Sequence, residues 1–394
     1  NRNHMRTLTV LCDRVGDDGG AERYWETVVP GLLRRGVRVQ LLARFVSAGA
    51  SRYGTVAHEI CWGGEDDAPS AGAAQAVAEA LRAEPPDAIL TANVFDTAVL
   101  DAVRAAGPRW LVRLHDHRAF CPTGDRVYPQ FASPCSAAMG NACRAATLLR
   151  GCVHGPRASS FERISAREAV RDRLTQADGM VVASRHMDAI CRTNGVAAER
   201  IAIAPSPLPD AAFADRPAEP TGRSIVFAGR LTPRKGLCSL VRALGRLPAA
   251  QRPRLVVAGE GAAEEQAARA EAARLGVTVE WLGRVGAPEL RRAIDGALAV
   301  AVPSLWPEPF GLVGIEGQAR GRPAVAYRVG GIEDWIADAG IAVRRGDEAA
   351  LAEAIRSVLD EQTWSAFASK ARTHAEAYRL DAHLDRLLQL CEAA

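Results

Sequence analysis

Short apolar runs alternate with helix-patterned stretches along almost the whole chain, and that rhythm leaves few folds open. Arg6 to Cys12, Val37 to Ala43, Asp87 to Thr91, Trp110 to Leu114, Gly179 to Ala183 and Ile201 to Ala204 read as apolar-rich strands. Such runs suit a parallel sheet, whose strands are covered on both faces. Helical patterns, Gly20 to Arg35 and Phe95 to Ala106 among them, fill the intervals. The rhythm lapses where Pro205, Pro207, Pro209, Pro217 and Pro220 crowd together. It restarts with Ser224 to Ala228, Arg254 to Ala258, Val277 to Leu282, Ala297 to Val302 and Pro323 to Ala326. A chain of 394 residues is long for one core, so two Rossmann-like α/β domains are expected, at residues 5–210 and 221–370. Ala366 to Cys391 is helical by pattern throughout, and residues 371–394 are expected to return to the first domain.

Composition narrows the function classes. Lys+Arg 49 against Asp+Glu 46 leaves a net charge of +3, too small a bias to mark a nucleic-acid-binding surface. Apolar stretches such as Ala297 to Pro303 are far shorter than the ~20 residues that span a bilayer. Asn1 to Met5 has no apolar signal core, so the expected location is the cytoplasm, with at most peripheral membrane association. Only Lys235 and Lys370 among the basic residues are lysines, which makes a lysine inside a motif more telling.

In open α/β sheets ligands bind beyond the carboxyl ends of the strands, so the loops there carry the chemistry. The first such loop holds Gly16, Asp17, Asp18, Gly19, Gly20 and Glu22; its glycines permit close approach to the backbone and the next helix offers amides to an anion. The same glycines also fit an ordinary strand-to-helix turn. After Ser224 to Ala228, Gly229 and Arg230 lead through Leu231 to Lys235 and Gly236. A guanidinium binding oxygens bidentately and an ammonium as a point charge suit a diphosphate, although such cations also read as solvated surface charges. The sharpest motif runs from Pro303 to Glu316. Pro309 and Gly311 mark a helix start, which places Glu308 in the loop and Glu316 in the second helical turn. Amides near Phe310, Gly311 and Leu312 would face an anionic ligand between the two carboxylates. Gly330-Gly331 offers one further close-approach loop.

The Glu308 and Glu316 pair, the Gly229-Arg230-Leu231 loop with Lys235 and Gly236, and the Gly19-Gly20-Ala21-Glu22 loop together resemble the GT-B glycosyltransferases of the retaining family 4 type. The resemblance covers nearly the whole chain and implies two domains facing a cleft. It implies a donor nucleoside diphosphate sugar, UDP- or GDP-linked, whose diphosphate is held by Arg230 and Lys235 and whose ribose is held by Glu316. Glu308 and the amides of Phe310 and Gly311 would hold the transferred hexose. His115, at the end of Trp110 to Leu114 and followed by Asp116, matches a histidine that lies beside the sugar in similar enzymes. The acceptor would be a carbohydrate, a lipid-linked molecule or a small molecule, in polysaccharide or glycosylated-metabolite biosynthesis. No cofactor is required for this chemistry, because cations can stabilise the leaving diphosphate. The alternatives are a GT-B sugar-nucleotide epimerase and a non-catalytic carbohydrate-binding or assembly protein; the two-glutamate motif favours transfer over epimerisation.

Two features stand outside that pattern. An insertion from His115 to Pro156 carries Cys121, Cys135, Cys143 and Cys152, separated by 13, 7 and 8 residues. A structural zinc site or disulfides would hold such a segment, although the paired spacing of familiar zinc sites is absent and unlinked structural thiols fit as well. Arg163, Arg167 and Arg171 recur at helical spacing beyond Arg150 and Arg157, a basic stripe for an anionic acceptor or membrane unless it is simply a solvated face.

Overall fold

Most strands in this chain are short aliphatic runs, and the central ones, such as Ala88–Ala92 and Ala299–Val302, are buried throughout, as parallel sheets covered on both faces require. The computed structural model describes residues 5–16, 19–63, 69–129, 133–215 and 219–393. The chain divides into two units, Asn1–Pro207 with Leu380–Ala394, and Leu208–Arg379.

In the first unit the strands are β1 (Thr7–Val15), β2 (Arg38–Val46), β3 (Ala57–Glu59), β4 (Ala88–Ala92), β5 (Arg109–Arg113), β6 (Gly179–Val182) and β7 (Ile201–Ile203). They pair in parallel in the order β3-β2-β1-β4-β5-β6-β7. Helices α1 (Gly20–Arg34), α2 (Ala71–Ala83), α3 (Thr97–Ala105), α4 (Asn141–Arg150), α5 (Arg157–Leu174) and α6 (Arg185–Thr193) connect them. Asp96 caps α3 through the amides of Ala98 and Val99, and Ser184 caps α6, each satisfying donors that a helix start leaves open.

The second unit holds β8 (Ser224–Ala228), β9 (Arg254–Ala258), β10 (Val279–Gly283), β11 (Ala299–Val302), β12 (Ala324–Arg328) and β13 (Gly340–Arg344). Their order is β10-β9-β8-β11-β12-β13, again parallel. Its helices are α7 (Leu237–Arg246), α8 (Ala262–Leu275), α9 (Ala287–Gly296), α10 (Leu312–Ala319), α11 (Ile332–Ile336), α12 (Glu348–Val358) and α13 (Glu361–Ala375). The strand order reverses between β8 and β11, and the loops leaving these neighbouring strands are those that carry Lys235 and Glu308. Chain order thus puts both residues at the point where open sheets bind ligands.

The expected continuous helix from Ala366 to Cys391 is two helices. Backbone at Arg379 is extended (φ −64°, ψ 148°), and α14 (Leu380–Glu392) then packs in the first unit. Leu380, Leu384, Leu387 and Cys391 share a core there with Trp25, Val28 and Leu32 of α1. Residues 1–4, Asp17, Asp18 and Pro217, used in the sequence reading, lie outside the described residues.

Candidate active site

The loop after β8 turns back through Pro233–Lys235 in one short helical turn and enters α7 at Gly236. The loop after β11 crosses it: the Leu305 amide donates to the Arg234 carbonyl at 2.8 Å. That crossing brings the Lys235 ammonium to 2.6 Å from Glu308 Oε1. The Ser304 hydroxyl donates to the same oxygen at 2.5 Å. Arg234 and Lys235 also lie over the Trp306 ring, at 4.8 and 5.5 Å from its centroid.

Glu308 is buried, with 4% of its surface accessible. Burial alone would raise its pKa, but the charge of Lys235 and hydrogen bonds from Lys235, Ser304 and Trp306 outweigh it and hold the carboxyl below the ordinary glutamate value. The result is a fixed carboxylate in a dry loop. Its main chain is fixed too: Glu308 bridges Gly330 in parallel and its carbonyl accepts the Gly331 amide at 2.7 Å. Gly330 has φ +62°, and a Cβ there would lie 2.4 Å from the Glu308 carbonyl oxygen, so only glycine permits this approach.

Helix α10 begins after Gly311. The Trp335 indole donates to the Phe310 carbonyl at 2.5 Å, and the Phe310 ring is buried against Tyr378. Phe310 therefore turns its side chain inward and leaves only main chain for a ligand. Glu316 is half-buried in the second turn of α10. Arg230 is exposed. Beneath its loop runs Gly259-Glu260-Gly261, where a Cβ at Gly259 would meet the Gly229 carbonyl at 1.9 Å; Leu231 donates to the Glu260 carbonyl at 2.8 Å.

Several contributors escaped the sequence reading. Ser304, Trp306 and Trp335 were present in the motif or near it without an assigned role. Gly259-Glu260-Gly261 had a usable signal, a Gly-x-Gly directly after an apolar strand.

In the first unit Gly19 caps α1 and Gly20 opens it. The Glu22 carboxylate folds back over this start, 1.9 Å from where a Cβ on Gly19 would stand. His115 follows β5, its ring edge-on to Tyr24 at 4.9 Å and Trp25 at 5.8 Å. Its Nε2 is buried without a hydrogen-bond partner. Burial, reinforced by Arg113, Arg118 and His383, pushes its pKa well below the usual histidine value. The ring is a neutral imidazole at pH 7.

The two outlying features come out differently. Cys121, Cys135, Cys143 and Cys152 stand as free thiols. Among the described residues no three metal-ligating side chains are placed to share an ion. The Cys121 sulfur accepts the Arg126 amide at 3.4 Å and lies 3.3 Å from the Thr123 hydroxyl. Burial, together with the Cys121, Cys143 and Cys135 thiols, pushes the Cys152 thiol up to about 11. Arg163, Arg167 and Arg171 do not form one exposed row, Arg163 being half-buried. Arg167 is buried with its guanidinium 4.7 Å from the Phe95 ring centroid, and Arg171 bonds the Met139 carbonyl and Asp172.

Both halves of the chain match known family models. The profile described as "Glycosyl transferases group 1" matches residues 210–378, and that described as "Glycosyltransferase Family 4" matches residues 18–211. The chain belongs to the family 4 glycosyltransferases. Relatives of this glycosyltransferase include the D-inositol 3-phosphate glycosyltransferase of Stackebrandtia nassauensis, 38% identical over 41% of this chain and 40% of the relative. The phosphatidyl-myo-inositol mannosyltransferase of Mycobacterium leprae is 29% identical over 67% of this chain and 69% of the relative. The match to the first of these thus spans about two-fifths of its length. Anabaena HepE, solved in complex with UDP-glucose, superposes with a TM-score of 0.72 at 17% identity, covering 99% of both chains. With two parallel Rossmann-like sheets, the family 4 chain has the GT-B fold.

Proposed function

We propose that this chain transfers a hexose from a nucleoside diphosphate sugar, UDP- or GDP-linked, to an acceptor hydroxyl, with retention at the anomeric carbon. The observation that carries the reading is the part-buried Lys235–Glu308 pair at the strand-order reversal of the second unit. An ammonium has three N–H donors and Glu308 takes one, leaving the others for phosphate oxygens. Arg230, exposed in the same loop, adds a bidentate fork. In the reaction the bond from the anomeric carbon to the diphosphate oxygen breaks and the electron pair leaves with the diphosphate, while the acceptor hydroxyl oxygen bonds the same carbon from the face the diphosphate leaves and gives its proton to the departing diphosphate oxygen. Negative charge grows on the leaving group, where the two cations act, while positive charge grows on the sugar, which the Glu308 carboxylate can oppose.

Glu316 is proposed for the ribose hydroxyls, and the main chain of Phe310, Gly311 and Leu312 for the sugar. Gly229 gives the diphosphate close access to its loop, and Gly19 and Gly20 do the same at the start of α1. His115, neutral and with a buried unpartnered Nε2, is proposed to hydrogen-bond a hydroxyl of the sugar. The UDP-glucose complex of HepE supports a uridine nucleotide as the first donor to try. The test is nucleoside diphosphate release with and without acceptor. Release that depends on acceptor supports transfer; release that does not, or interconversion of free nucleotide sugars, contradicts it.

A further inference from the structure

Helix α4 lies in the cysteine-bearing insertion and lays one side on α5, where Arg144 donates to Glu168 at 2.5 Å and to Ser165 at 2.9 Å. That contact fixes which side faces outward. Ala142, Ala145 and Leu149, at i, i+3 and i+7, share the side turned away from α5, while Leu148, one turn beyond Arg144, stands exposed at the edge of that side. No residue of α4 is buried. Leu149 is 83% exposed and Leu148 49%, and among the described residues no large apolar side chain is more exposed than Leu149.

The surrounding charge has one sign. Between Asp125 and Glu162 the sequence has no acidic residue, although the whole chain carries 46 acids against 49 bases. Arg150 closes α4, exposed and stacked 4.2 Å from the Tyr128 ring centroid. Arg157 and His154 are exposed just beyond it.

We propose that the outer side of α4 docks on an anionic lipid bilayer, Leu148 and Leu149 entering the headgroup boundary while Arg150 and Arg157 engage lipid phosphates. Guanidinium groups bind phosphate oxygens bidentately, and apolar side chains ringed by cations are what interfacial docking requires. The area argues against a protein partner, since two leucines and two alanines fall far short of the roughly 800 Å² per partner of a stable interface. Nothing in this inference depends on the reaction proposed above.

The test is co-sedimentation of the full chain with vesicles containing phosphatidylglycerol and, separately, with pure phosphatidylcholine vesicles. Binding to the anionic vesicles alone is expected, weakening as salt rises. L148S/L149S and R150E/R157E should each lower partitioning by roughly tenfold or more. V56S, at a valine 70% exposed elsewhere, should leave it unchanged. Emission from L149W should be quenched by brominated phospholipid beyond the quenching of the wild type. No binding, or equal and salt-insensitive binding to both vesicles, overturns the proposal. So does a lower solution mass of L148S/L149S without vesicles, which would assign the face to a second copy of the chain.

Discussion

Glu308 is a carboxylate removed from water and still ionised, and Lys235 is the main reason. If Lys235 and Arg230 stabilise the departing diphosphate, replacing either with Ala should lower turnover roughly 10²- to 10³-fold, the range for one preorganised charge stabiliser. Lys235→Ala carries a second cost, because breaking a buried ion pair destabilises by ~3–5 kcal/mol; the partial exposure of Lys235 puts this case at the low end. Glu316→Ala should chiefly weaken nucleotide binding, since ribose contacts exist in ground and transition states alike, whereas Glu308→Gln should chiefly lower turnover. Steady-state kinetics with separate determination of donor affinity checks both. The depressed pKa of Glu308 gives a pH signature. In the unfolded chain a glutamate titrates near ~4.3, so between that value and the lower folded one the unfolded state binds the extra proton. Stability from this group is therefore present above about 4.3 and lost as pH falls through the folded value. Urea titrations should show the advantage of wild type over Glu308→Gln shrinking with acidification in that window. A constant difference would mean that Glu308 is not held as an anion.

At the scale of elements, the loops depend on one backbone contact that can be broken singly. Gly330→Ala would place a Cβ 2.4 Å from the Glu308 carbonyl oxygen at φ +62°, a strain of about 1–3 kcal/mol. Because Glu308 bridges this residue, the expected outcome is a fall in turnover larger than the fall in nucleotide affinity. The insertion should yield free thiols, so labelling of the unfolded chain without reductant is expected to find nine; fewer would indicate cross-links.

Strands such as Ser224–Ala228 and Arg254–Ala258 were legible to the residue, because continuous aliphatic runs have one structural meaning at that length. β3 was not, being three residues, Ala57–Glu59, with no apolar run. β13 was masked by its position soon after the five-residue α11. The site's residues were legible as loop motifs, but the Lys235–Glu308 pairing was not, since they stand far apart in sequence and meet only where β8 and β11 are neighbours. Arg167 misled for a similar reason: helical spacing suggested an outward stripe, and a ring contact with Phe95 turned the guanidinium inward.

On the whole-molecule scale, the chain crosses from one unit to the other after Pro207 and crosses back after Arg379. Nothing in the residues at Arg379 announces the break, for neither proline nor glycine stands there. The return matters energetically. Removing residues 380–394 would strip Leu380, Leu384 and Leu387 from the first unit's core, at ~1.5–3 kcal/mol each. That loss is comparable with the ~5–15 kcal/mol by which domains are stable. Urea denaturation followed by circular dichroism should show the first unit unfolded and the second, whose core has no residue beyond Leu380, still melting cooperatively.

The most direct measurement of the central claim is the anomeric configuration of the transfer product, read by proton NMR on reactions run with wild type, Lys235→Ala and Glu308→Gln. The account predicts the donor's configuration in the product, with both variants slowed by about two orders of magnitude or more. An inverted product, or rates near wild type from both variants, would contradict it.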